Sequence, residues 1–412
     1  MRPAVQPSHI DGVTKASLLP RSAASPAPSC PPDTRRRTLV LSGLAHALHD
    51  GYTDAIYVLL PVWRAEFGLD YVALALLRGL YAGAMAALQV PASWLADHMG
   101  GRAVLILGTL IAAAGYGLAG FSGGALGLCA ALFLAGAGSS VQHPIASSAV
   151  SRAYGSAARG PLGTYNFSGD LGKAIIPAAL SLGLSFAPWR PSLWLLALAG
   201  IVVAGLIAIS MPKIAPAPPP PVQRSAPPRG GNGFPLLLAI GVIDTGVRMG
   251  FLTFLPFLLQ LKGASQPLIG TALALVFLGG AAGKLACGWL AQRWGIVGVT
   301  LCTEGLTALM IALAAFLPLA ALLVLLPLLG LTLNGTSSVL YGTVPELAPA
   351  DRTERAFAIF YTGVIGSGAL SPLLFGAIGD QAGPVIATLG TAVAALVNLP
   401  LALALGPKLA RR

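Results

Sequence analysis

Trp94-Leu95-Ala96-Asp97-His98-Met99-Gly100-Gly101-Arg102 is echoed in the second half of the chain by Gly288-Trp289-Leu290-Ala291-Gln292-Arg293-Trp294-Gly295, each copy directly following a long apolar run. A shift of 194 to 198 positions also brings Asp50 onto Asp244, Pro61 to within a residue of Pro256, and Ser139-Ser140-Val141 onto Ser337-Ser338-Val339. A nearly constant offset shared by charged, proline and hydroxyl positions marks a duplicated unit. The chain reads as two copies of one architecture.

The composition says what that unit is made of. Of 412 residues, 55% are hydrophobic and 9% charged, where soluble domains carry about a quarter charged. So few charges cannot cover a surface facing water, which excludes a soluble globular protein. Apolar runs fall at 38–60, 72–96, 102–121, 124–150, 160–184, 190–211, 234–260, 267–290, 298–317, 319–345, 355–378 and 384–406, and a membrane helix needs about 20 such residues. The expected fold is an all-α integral membrane protein of twelve transmembrane helices in two six-helix bundles, 38–211 and 234–406. Residues 1–37 read as a disordered cytoplasmic tail without a secretory apolar core, 212–233 as a Pro-rich cytoplasmic linker containing Pro218–Pro221, and 407–412 as a second cytoplasmic tail.

Loops assigned to the cytoplasm hold 18 Lys and Arg against 3 outside, which sets both termini inside. The net charge of +11 therefore sits at span ends beside membrane lipid and forms no aromatic-laced stripe for nucleic acid. Cys30, Cys129, Cys287 and Cys302 have no paired spacing, so no disulfide or zinc framework is implied. No phosphate-binding P-loop, Ser/His or H-E-x-x-H arrangement is present, and five histidines are too few for a di-metal enzyme. A transporter without cofactor or metal is expected, working as a monomer. The competing class is a membrane enzyme built on His46, His49 and Asp50.

A duplicated six-helix unit with a central linker, and a loop of small residue, Asp, base and Gly ending in Asp97 and Arg102, resemble the major facilitator superfamily. His46-Ala47-Leu48-His49-Asp50, Leu60-Pro61, Gly138-Ser139-Ser140-Val141-Gln142-His143-Pro144 and Asn166 through Gly169-Asp170-Leu171-Gly172 to Pro177 are similar to its fosmidomycin-resistance branch. That resemblance implies proton-driven drug efflux, in a bacterial inner membrane. Asp170 and Lys173 depart from it, because the branch is usually neutral there.

Ionisable groups inside spans are costly and usually face a cavity or a partner. His46, Asp50 and Asp54 recur every fourth residue and share one helix face. A buried carboxylate is poorly solvated and can exchange a proton as the cavity opens to either side. Asp50 is the first candidate proton carrier, with His46 as modulator and Asp170 as a further one, unless Asp50 is permanently bolted to Lys173 or Arg78. Counting 1.5 Å per residue along each helix sets Asp50 level with Lys173, Asp54 with Arg78 and Lys284 with Glu304. Asp54–Arg78 is expected to be a structural bridge, with Asp97, Arg102, Lys284 and Glu304 also structural or gating.

Candidate substrate contacts are His49, Gln142, His143, Tyr165, Asn166, Lys173, Asp244, Arg248, Asn334, Tyr341 and Tyr361, with Phe251 and Trp63 covering an apolar part. Asp170 and Lys173 either bridge each other or serve the substrate, and Asp244 and Arg248 stand four apart and either pair or face the cavity. Proton-coupled export of a small amphipathic or anionic compound is the leading expectation. Proton-coupled uptake of an organic anion is the alternative.

Overall fold

The computed structural model describes residues 30–213, 233–348 and 353–409. The expected tail over 1–29, most of the expected linker and residues 410–412 lie outside the described residues. Helix α1 (Pro32–Phe67) begins inside what reads as tail. Pro32 occupies the start of the helix, where its missing N–H costs nothing, and Asp33 faces the positive helix end, so Arg35, Arg36 and Arg37 are helical.

Two expected spans are interrupted. The second divides at Leu88 into α2 (Tyr71–Ala87) and α3 (Gln89–Met99), inclined by 44°. The fourth divides into α5 (Ala125–Ser139) and α6 (Gln142–Tyr154), after α4 (Gly101–Ala119). In each case a proline, Pro91 or Pro144, lies just beyond the break; it supplies no N–H and its ring crowds the carbonyl four residues back. Helices α7 (Arg159–Gly183), α8 (Trp189–Ser210), α9 (Phe234–Leu261) and α11 (Leu319–Leu347) follow the apolar runs. By contrast α10 (Gln266–Phe316) and α12 (Thr353–Leu405) each join two expected spans, interrupted at Gly295 (φ 69°, ψ 172°) and Gly383 (φ 86°, ψ 167°). Side chains with a Cβ rarely adopt that backbone conformation.

Among the described residues, seven helices are long and apolar enough to cross a membrane, or eight with the bent α2–α3 pair. Neither α1 nor α7 is among them. These two carry His46, His49, Asp50 and Asp54, and Asp170 and Lys173. Large apolar side chains such as Val40, Phe121, Leu126, Phe186, Ile209 and Leu285 point outward and are exposed, as lipid-facing surface requires. The core holds Tyr52, Tyr57, Trp63, Phe251 and Phe254. Trp63 and Phe251 are fully buried in this packing and do not line the cavity described below.

Helix α1 packs on α7, and α9 correspondingly on α12; α4 packs on α5, and α10 on α11. Across the middle, α7 meets α10 and α2 meets α12. The α1–α7 contact depends on glycine, because a Cβ on Gly172 would collide with the Ala47 carbonyl and one on Gly169 would lie 2.6 Å from His46 Nε2 and 2.7 Å from Asp50 Oδ2.

At the end where α1 turns into α2, the halves are fastened. Asp380 of α12 accepts from the Tyr71 N–H at 2.7 Å and the Val72 N–H at 3.1 Å, satisfying donors that a helix start leaves free. Ser181 donates to the Gln266 carbonyl and accepts from the Gly270 N–H at 3.1 Å. Tyr71 packs against Phe254 and Phe257, with ring centroids 5.2 and 5.0 Å apart.

Candidate functional site

A cavity of about 210 Å³ lies between the halves. Asp50, Asp54, Arg78, His143, Asp170 and Lys173 line it from the first half, and Arg248, Met249, Phe277, Lys284, Asn334 and Tyr341 from the second. The two helices too polar to pass as membrane spans thus contribute four of these groups, Asp50, Asp54, Asp170 and Lys173, with His46 behind Asp50.

Asp50 is the hub. Its Oδ2 lies 3.2 Å from His46 Nε2 and 3.2 Å from Lys173 Nζ, while Oδ1 lies 3.6 Å from His143 Nε2. His46 Nδ1 is 2.8 Å from the Tyr165 carbonyl oxygen, which only accepts, so this nitrogen carries a hydrogen. The opposite nitrogen then faces the Asp50 carboxyl, and a hydrogen bond between them needs a further proton on one or the other. His46 also stacks on the Tyr165 ring, with centroids 4.2 Å apart. His46, Asp50 and His143 offer three ligand atoms within 4.8 Å that could hold a metal ion. The Lys173 ammonium already supplies a cation against the same carboxylate.

Asp170 belongs to a second pair. Lys284, from the other half, donates to Asp170 Oδ1 at 2.6 Å, whereas Lys173 is 4.0 Å from that oxygen. An internal Asp170–Lys173 bridge is therefore the weaker contact, and the expected Lys284–Glu304 meeting does not occur: Glu304 accepts from Asn398 Nδ2 at 2.9 Å instead. The expected Asp54–Arg78 bridge is also not formed. The Arg78 guanidinium sits 5.1 Å over the Tyr57 ring, with Nη2 3.7 Å from Met249 Sδ.

Four cations, Arg78, Lys173, Arg248 and Lys284, thus face three carboxyl groups, Asp50, Asp54 and Asp170. Two cations are matched. Arg78 Nε and Nη1 and Arg248 Nε are buried without hydrogen-bond partners among the described residues.

Several other expected contacts stand back from the cavity. His49 is held by Ser139 Oγ and Thr109 Oγ1, each at 3.1 Å, fastening α1 to α5 and α4. Gln142 Nε2 donates to the Tyr165 hydroxyl at 2.8 Å, and both are buried behind His46. Asn166 is exposed. Tyr361 is 47% exposed and leans on Tyr341, with centroids 4.9 Å apart. Asp244 does not pair with Arg248 but turns toward Glu304. Asp97 is exposed at the end of α3, and Arg102 donates to the Ala208 carbonyl of α8.

The sequence reading missed Met249, which receives the Tyr57 hydroxyl at 3.3 Å, and Asp380. Met249 carries no charge or period to mark it. Asp380 had a signal, as an acidic residue near the end of an apolar run, level with the start of α2.

Two segments, residues 42–243 and 236–411, match the model of the Major Facilitator Superfamily. The chain is 25% identical over 394 residues to human "Monocarboxylate transporter 11", covering 90% of this chain and 82% of that one. It is 31% identical over 159 residues to the "Probable sulfoacetate transporter SauU" of Cupriavidus necator, covering 38% and 37%. In fold it is similar to a bacterial homologue of the human lysosomal transporter Spinster, solved in an inward-facing and occupied conformation (TM-score 0.78, 15% identity, 92% of this chain and 98% of that one). An all-helical chain whose two halves each match one family model, and whose relatives are transporters, is a multi-pass, non-enzymatic transport protein: it belongs to the Major Facilitator Superfamily.

Proposed function

We propose that this protein moves a small organic anion together with a proton. The observation that carries the proposal is the pair of guanidinium groups, Arg78 and Arg248, lining the cavity with no carboxylate among the described residues in an ion pair with either. A carboxylate or sulfonate is the complement of such groups. The names of two relatives, a monocarboxylate and a sulfoacetate transporter, support that class. Met85, Leu252, Phe277 and Val364 suit a short apolar part.

Coupling follows from the Asp50 hub. A proton placed on Asp50 weakens its hold on Lys173, whose ammonium then becomes available to the anion. Proton and anion therefore bind with positive cooperativity, which favours movement in one direction over exchange. The halves rock about the midplane site. The fastenings at Asp380, Ser181 and Tyr71 close one end, which we assign to the outside, so the present state faces inward.

With 51 and 53 residues, α10 and α12 are about 75–80 Å long at 1.5 Å per residue, more than twice a bilayer core of about 30 Å. Each accordingly crosses twice around its glycine, giving twelve crossings in two six-helix bundles, 38–211 and 234–406, with both termini in the cytoplasm of a bacterial inner membrane. Proton-driven efflux, implied by the resemblance to the fosmidomycin-resistance branch, is the second reading, and the apolar wall of the cavity favours it. Proteoliposomes given an acid exterior decide: co-transport predicts accumulation of labelled sulfoacetate or a short monocarboxylate inside. Accumulation only with the gradient reversed would favour efflux, and no gradient dependence would contradict both.

A further inference from the structure

The second half buries two carboxyl groups that the cavity does not use. Asp244 of α9 and Glu304 of α10 are 4% and 2% exposed, and their side chains lie within hydrogen-bonding reach of each other. The surrounding elements bring mostly neutral groups. Asn398 of α12 donates to Glu304 Oε2 at 2.9 Å, and Thr336 of α11 lies against the same carboxyl while donating to Thr303 Oγ1 at 2.8 Å. Arg248, one turn along α9, is the cation nearest in sequence and forms no ion pair with Asp244, and Tyr341 of α11 is the other titratable group near Asp244.

Asp244 Oδ2 and Asn398 Oδ1 are buried acceptors without a partner. Two ionised carboxylates at hydrogen-bond distance, without a paired cation and out of water, repel strongly. A proton between them removes the repulsion and supplies the missing donor.

We infer that Asp244 and Glu304 share one proton, forming a second proton-binding site, outside the cavity, at the junction of α9, α10 and α12. While the proton is held, Asp244 is directed at Glu304 and Arg248 is left for the cavity. Once it leaves, Asp244 is a free carboxylate four residues from Arg248, the spacing at which such groups pair. This last consequence rests on the anion reading above. The shared proton does not, so the test reads the proton itself.

Infrared difference spectroscopy of the detergent-purified full chain, in light and heavy water at neutral pH, should show a deuterium-sensitive protonated-carboxyl band. Glu304→Gln and Asp244→Asn should each lose that component, while Asp50→Asn keeps it. Absence of the band in the wild type, or its survival in both variants, overturns the inference. A second measurement tests the competing cation: the wild-type melting temperature should be the same in sodium and choline chloride at fixed pH and ionic strength. A sodium-specific rise that Glu304→Gln abolishes and Asp50→Asn keeps would overturn the shared proton in favour of a sodium ion held by the same oxygens.

Discussion

Asp50 in α1 and Asp244 in α9 are mates in the sequence duplication, yet they sit in opposite circumstances. Asp50 faces the cavity with Lys173, His46 and His143 around it. Asp244 turns away from the cavity to Glu304. The helices that carry them are packed alike, α1 on α7 and α9 on α12. What differs is the partner helix. Helix α7 presents Asp170 and Lys173, whereas α12 presents Ser367 and Ser371, whose hydroxyls donate to the α9 carbonyls of Val242 (2.6 Å) and Gly246 (3.1 Å). Duplication fixed where each helix lies, and the neighbouring side chains then decided which carboxyl meets the cavity.

The largest expected break in this comparison comes from removing the first half's cation. Lys173→Met leaves the buried Asp50 without its ammonium and should lower stability by about 3 kcal/mol, the low end for a broken buried pair, because Lys173 is partly open to the cavity. Adding Asp50→Asn should recover much of the loss in a double-mutant cycle of melting temperatures. Additive effects would show that the pair is not coupled. The second half has no equivalent ion pair at Asp244 to break.

Next come the helix contacts. Gly172→Ala drives a methyl into the Ala47 backbone and should cost about 2 kcal/mol, within the usual range for overpacking. Gly246→Ala in α9 meets Ser367 Oγ at 3.1 Å and Ser371 Cβ at 3.3 Å, side-chain atoms that need give only a few tenths of an ångström, and should cost less, about 1 kcal/mol. Equal shifts in melting temperature would mean that the two junctions are equally tight.

Arg78→Gln and Arg248→Gln, one from each half, should each weaken binding of a small organic anion about tenfold, or ~1.4 kcal/mol. Calorimetric titration checks this. A change confined to one residue would assign the anion to one half. The smallest effects belong to residues set back from the cavity: Asn166→Ala and Tyr361→Phe should leave melting temperature and anion affinity within about 0.5 kcal/mol of wild type.

The fold was legible because a bilayer admits few solutions, and because each half repeats the evidence of the other. Boundaries were less so. Pro32 carries α1 back through three arginines, and Pro91 bends a run that looks continuous in hydropathy. For the site, depth along each helix placed Asp50 level with Lys173, and they lie 3.2 Å apart. The same reasoning paired Asp54 with Arg78 and Lys284 with Glu304, and neither pair exists. Depth fixes one coordinate and leaves azimuth open: Arg78 turns to Tyr57 and Met249, Lys284 reaches across to Asp170, and Glu304 faces Asn398. The stripe Thr300, Thr303, Glu304, Thr307 on one side of α10 was a readable sign that Glu304 had a polar surrounding of its own.

The central claim is that a proton on Asp50 releases Lys173 to the anion, and anion affinity measured against pH in the wild type and in Asp50→Asn tests it most directly. The wild-type affinity should rise as pH falls. Asp50→Asn, which keeps the shape but removes the carboxylate, should already show at high pH the tight binding that the wild type reaches only at low pH, with most of the pH dependence gone. If the Asn variant instead weakens with rising pH as steeply as the wild type does, Asp50 does not control Lys173 and the coupling scheme is wrong.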